Sequence, residues 1–95
     1  MISPTEALIL SLLLNRSDGA FASELMHLSE GKLKRGSVYT ILGRMELAGL
    51  VSSKEEPATE AYAMPRTIYR ITGNGISARN EFGNWTGLIP AGGVL

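Results

Sequence analysis

The sequence predicts a small α+β domain, mainly helical, with a single two-stranded β-hairpin. Three observations carry this reading. The chain opens on a capped and strongly apolar stretch, Ser3 to Asn15. The segment GKLKRGSVYTILGRMELAGLVSS, Gly31 to Ser53, sets apolar residues at helical spacing behind a cluster of cations. Two short runs rich in β-branched and aromatic residues, LVSSKE and RTIYRIT, come after that helix. With 95 residues there is room for one domain.

In the first helix, Ser3 is placed to cap, Pro4 suits the first helical position, and Glu6 stands where a capping box needs its carboxylate. The helix runs to about Asn15. It is apolar almost all round, with Ala7, Leu8, Ile9, Leu10, Leu12, Leu13 and Leu14. A helix of this kind needs cover on every side, so part of it is expected in a subunit interface. NRSDGA reads as a turn, broken at Asp18-Gly19. FASELMHLSEG gives a second helix with Phe21, Leu25 and Leu28 at helical spacing and Gly31 as its stop; Ser23 is a weaker cap than Ser3.

The third helix is expected over 36–49, starting at Gly36 or Ser37 and stopping at Gly49. Val38, Ile41, Leu42, Met45, Ala48 and Gly49 share one face of the wheel. Gly36, Tyr39, Thr40, Gly43 and Leu47 occupy the opposite face, flanked by Ser37 and Arg44. Strands are expected at Leu50–Glu55 and Arg66–Thr72, the second with Tyr69 and Ile71 facing in; EPATEAYAMP between them is a long hairpin loop. Thr72 caps a short last helix that reaches about Phe82. Residues 1–83 thus form the domain, and residues 84–95 a Gly-rich, loose tail. The order helix, helix, helix, strand, strand, short helix is that of a winged helix-turn-helix.

Several function classes fall away. The chain has no cysteine, hence no disulfide frame and no thiolate zinc site. Its longest apolar run, Ala7 to Leu14, falls well short of the ~18 residues of a membrane span. MISPTE carries an acid where a secretory leader carries Lys or Arg, so the expected location is the cytoplasm. His27 is the sole histidine and reads as a surface residue; no set of ligands converges on a metal. Ser23, His27 and Asp18 lie in one helix-turn stretch, without triad geometry. Gly73–Gly75 lacks the context of a nucleotide loop and reads as a helix cap. Met26, Met45 and Met64 read as gap fillers. No cofactor and no catalysis are expected.

Charge points elsewhere. The formal net charge is zero, yet from Lys32 to Lys54 five cations (Lys32, Lys34, Arg35, Arg44 and Lys54) face one acid, Glu46. In a helix-turn-helix the second helix of the pair enters the DNA major groove N-terminus first. Its N–H groups and dipole favour anions there. Lys32, Lys34 and Arg35 would meet phosphates, with Ser37 and Tyr39 adding hydroxyls. Thr40 and Arg44 have the chemistry to read base edges. Gly36 and Gly43 let the backbone come close to the duplex. A second reading makes the domain a protein-interaction adaptor, motivated by an acidic hairpin tip (Glu55, Glu56, Glu60), the neutral total and an outward Leu47.

These residues also carry a family resemblance. Gly36-Ser37-Val38-Tyr39, Leu42-Gly43-Arg44-Met45-Glu46, Gly49-Leu50-Val51, the basic strand Arg66 to Thr72, and Thr72 with Gly75 resemble the motif of the PadR-type winged helix transcriptional regulators. The resemblance spans roughly Leu8 to Gly75. It implies a cytoplasmic, homodimeric DNA-binding repressor in which Tyr39 and Arg66 touch the DNA backbone. It also implies that Trp85 could hold a flat apolar effector at a dimer interface; the alternative role for Trp85 is to dock the tail. Four features depart from the family pattern: Thr40 where Pro is common, Ala22-Ser23-Glu24-Leu25 in place of Gly-Tyr-Glu-Leu, the acidic hairpin tip, and the short C-terminus. With so little chain after Gly75, a dimer is expected to use the first helix, the last helix, or both.

Overall fold

The computed structural model describes residues 2–61 and 63–87, and the side chains of those residues up to Gly83. The elements run α1 (Pro4–Leu14), β1 (Ala20–Phe21), α2 (Ala22–Leu28), α3 (Arg35–Leu47), β2 (Val51–Glu56), β3 (Arg66–Ile71) and α4 (Gly73–Gly87). The strands form an antiparallel sheet in the order β1-β3-β2.

The fold class is the one the sequence predicts, with one added element. The NRSDGA segment is more than a turn, because its last residue pairs. Ala20 lies opposite Tyr69 and Phe21 opposite Ile68, which makes the hairpin a three-stranded sheet. Gly19 permits the approach. Its φ is +90°, and a Cβ there would lie 2.7 Å from the Tyr69 carbonyl oxygen, so only glycine fits. Phe21 consequently ends a strand rather than lining a helix, and Leu28 on α2 is 40% exposed.

Capping explains the helix starts. In α1, Ser3 Oγ accepts the Glu6 N–H at 3.2 Å and the Ser3 N–H donates to Glu6 Oε1 at 2.8 Å. In α2 the Phe21 N–H donates to Glu24 Oε1 at 2.9 Å, and the other Glu24 oxygen pairs with Arg16. Ser23 does not cap; it lies inside α2. α4 starts as expected at Thr72, whose Oγ1 accepts the Gly75 N–H at 3.0 Å and donates to the Gly49 carbonyl at 2.6 Å. It runs to Gly87, past the expected end at Phe82, so residues 84–87 of the expected loose tail are helical, and residues 88–95 of that tail lie outside the described residues.

The core is a single cluster. Ile9, Leu10 and Leu13 of α1 meet Leu25, Val38, Leu42 and Met45 of α2 and α3, and Val51 and Tyr69 of the sheet. Within the hairpin Tyr69 is buried and Ile71 half-buried against that cluster. Burial, then the Glu46 carboxylate, then Tyr39 raise the Tyr69 phenol above its ordinary 10.0 and keep it neutral. The all-round apolar α1 is covered largely by its own chain. α4 packs along it, tied by Arg79 Nε donating to Ser11 Oγ at 3.0 Å, while β3 and α2 take other sides. Leu14 remains 40% exposed. Met26 and Met45 pack as expected, but Met64 is 74% exposed in the hairpin loop and fills no gap.

The α2–α3 turn hangs on one buried hydroxyl. Ser29, 3% exposed, donates from Oγ to the Met26 carbonyl at 2.7 Å and accepts the Leu33 N–H at 3.0 Å. Glu30 and Gly31 then take φ of 55° and 89° to turn the chain toward α3. Ser29→Ala strips the Leu33 N–H of its partner. It is expected to destabilise the domain by about 1–3 kcal/mol, read from urea unfolding; a change below ~0.5 kcal/mol would mean water replaces the hydroxyl.

Candidate nucleic-acid interface

α3 follows the wheel except at Ala48, expected on the inward face but exposed because the helix ends at Leu47 and Ala48 is its C-cap. Val38, Leu42 and Met45 are fully buried, whereas Gly36, Ser37, Tyr39, Thr40, Gly43 and Arg44 are exposed and Leu47 is 91% exposed. The helix begins one residue early, at Arg35, with Lys34 as its N-cap. That shift places both cations on the helix end itself. Lys32, Lys34 and Arg35 are all exposed, and among the described residues none of them has an ion-pair partner.

This N-terminus differs from the other two that precede it. α1 and α2 each carry a capping-box glutamate, while α3 has no side-chain cap and no acid in its first turn. Helix N-termini carry partial positive charge, so two cations there are unfavourable unless an anion joins them. The arrangement therefore suits a polyanion approaching along the helix axis. Arg44 makes no pair with Glu46; that carboxylate instead accepts Ser53 Oγ–H at 2.7 Å and ties α3 to β2. Gly36 and Gly43 have nothing within 4 Å of a notional Cβ, so the outer backbone of the helix lies open.

The strand residues are placed differently. Ser53 points to α3, so by alternation Lys54 lies on the far face of the sheet, paired with Ile68. It is exposed but apart from the α3 cations. Arg66 starts β3 on that same far face, where the strand end meets a cleft of about 250 Å³ lined by Phe21, Ala22, Ser23, Tyr39, Pro65, Arg66 and Thr67. The structure thus brings Tyr39, which is 51% exposed, and Arg66 to one cleft between α3, the start of α2 and the loop end of the hairpin. The sequence marks Phe21 only as a residue at helical spacing in the second helix, with no site role. Its ring lies 3.7 Å beneath the Arg66 guanidinium carbon. Glu55 and Glu60 of the hairpin tip are exposed, and Glu56 is half-buried opposite Arg66. The side chain of Trp85 lies outside the described residues, and with it the effector reading. Among the described residues there is no cluster of His, Cys, Asp or Glu able to hold a metal, and no helix is long and apolar enough to cross a membrane.

Comparison with known proteins gives a consistent picture. A family model described as the transcriptional regulator PadR-like family matches residues 9–81. A PadR-like transcription factor from Bacteroides fragilis superposes with a TM-score of 0.73 at 27% identity, covering 88% of this chain and 82% of that one. A transcriptional regulator from Clostridium thermocellum superposes with a TM-score of 0.71 at 25% identity, covering 87% and 82%. A PadR family regulator from Clostridium difficile, at 22% identity and a TM-score of 0.73, covers 85% and 84% and shares the fold. A search of curated protein sequences found no match.

Proposed function

The chain belongs to the PadR-like family of transcriptional regulators, and from that premise we propose that it is a sequence-specific DNA-binding repressor acting as a cytoplasmic homodimer. The observation that carries the reading is the uncapped start of α3, with Lys32, Lys34 and Arg35 exposed at its positive pole. α3 enters the major groove from this end. The cations and the Ser37 and Tyr39 hydroxyls engage phosphates and set the register. Thr40 and Arg44, one turn further in, meet base edges, and Arg44 suits the two acceptors of guanine. Arg66 reaches the backbone from the loop end of the hairpin, where it lies across from Glu56. Lys54, on the far face of the sheet, serves only a duplex that bends toward it.

Two copies would set their α3 helices about one helical turn, ~34 Å, apart on one face of the duplex. α1 and α4 are the elements for that dimer, since Leu14 and Ile76 on them are each 40% exposed.

The test has two stages. Selection from random DNA yields the preferred site, and a fluorescence-anisotropy titration on it is repeated across salt. With about three phosphates neutralised per subunit, log K falls against log salt with a slope near −5. A slope near zero would overturn the reading.

A further inference from the structure

We propose that Phe21 is a positioning residue for DNA backbone contact: its ring holds the Arg66 guanidinium at the mouth of the cleft beside Tyr39. The proposal rests on the DNA-binding reading above and adds a residue and a reason for the short strand β1.

The register sets the placement. Phe21 is the cross-strand partner of Ile68, and Arg66 is two residues before Ile68 on the same face of β3. The two are therefore diagonal neighbours across the sheet, within reach of long and aromatic side chains. The guanidinium carbon sits 3.7 Å from the ring centroid, well inside the range in which the ring quadrupole attracts a cation. The ring is itself held. The Phe21 N–H donates to Glu24 Oε1 at 2.9 Å, and Arg16 pairs with the other oxygen of that carboxylate. Strand pairing on one side and the α2 cap on the other thus fix the backbone from which the ring projects.

The support matters because Arg66 has a rival neighbour. Glu56 is its direct cross-strand partner on β2. The ring contact sets the guanidinium at the cleft that Tyr39 also lines, with Ser23 and Thr67 as further hydroxyls there. A phosphate seated in the cleft meets a cation and hydroxyls from three elements. Ser23, Tyr39 and the Arg66-Thr67 pair are far apart in the sequence, and the pairing of β1 with β3 helps bring them together.

The test uses the full-length chain and its selected DNA site. Phe21→Leu keeps apolar bulk at the strand end and removes the ring. It is expected to weaken DNA binding about 10-fold, a cation–π contribution of ordinary size acting in both subunits. The salt slope is expected to become shallower by about 2, one phosphate per subunit, with the melting temperature little changed. Phe21→Tyr restores binding. In an Arg66→Ala background, Phe21→Leu adds nothing further. Equal losses from Phe21→Leu with and without Arg66, or a loss that leaves the salt slope unchanged, would mean the ring only packs, and the proposal fails. If the wild-type chain shows no salt-dependent DNA binding, the functional reading fails first and this proposal with it; if the wild type binds and Phe21→Leu binds equally well, the proposal alone fails.

Discussion

Reversing Lys34 and Arg35 to glutamate is expected to abolish operator binding at moderate salt, with a loss of at least ~100-fold in affinity. Each substitution replaces an exposed cation by an anion at the N-terminal end of α3. If about six phosphates are neutralised by the dimer, four contacts are lost and the salt slope falls from near −5 to near −2. The fold should tolerate the change. Both positions are exposed and without ion-pair partners among the described residues, and acids at a helix N-terminus interact favourably with its dipole. The double variant should therefore melt at or slightly above the wild-type temperature, which separates lost binding from lost structure. Affinity within about threefold of wild type would remove α3 from the interface and favour the adaptor reading, in which partner capture by the acidic hairpin survives the reversal.

Gly75→Ala is expected to destabilise the domain by about 3 kcal/mol or more. Gly75 is buried in the first turn of α4, and a Cβ there would collide with the Leu50 carbonyl oxygen and lie 2.8 Å from Ile71 Cγ1. The carbonyl cannot step aside without cost, because it accepts the Thr72 N–H at 3.1 Å. Gly73, two residues earlier, supplies the control. Nothing lies within 4 Å of its notional Cβ, and Gly73→Ala should be neutral or stabilising by up to ~1 kcal/mol. Urea unfolding of the pair decides; similar stabilities for the two variants would show that α4 can shift freely away from β2.

What was legible in the sequence was local. The Ser3–Glu6 box and the Thr72 cap depend on residues three apart, and both form. The two faces of α3 follow from a regular period, and Val38, Leu42 and Met45 are buried against exposed Tyr39, Thr40 and Arg44. What was not legible was long-range. β1 has two residues, too few for any alternation to show, and it exists because Gly19 lets the chain lie against Tyr69. Without that pairing Phe21 reads as a helical core position, and its contact with Arg66, 45 positions later in the chain, has no local trace. The apolar girdle of α1 was visible but not its cover, since α4 supplies it from the other end of the chain. The Thr72–Gly75 motif was readable as a cap, while the crowding that demands glycine came from Leu50.

The hydroxyl of Thr72 has a mechanical consequence. It bonds the Gly49 carbonyl, two residues past α3, and the first turn of α4 at once, and Thr72 is the single residue between β3 and α4. There is no slack at this joint. A tilt imposed on α4 would be passed through the Gly49–Thr72 rivet toward the rear of α3, as a tiller turns a rudder.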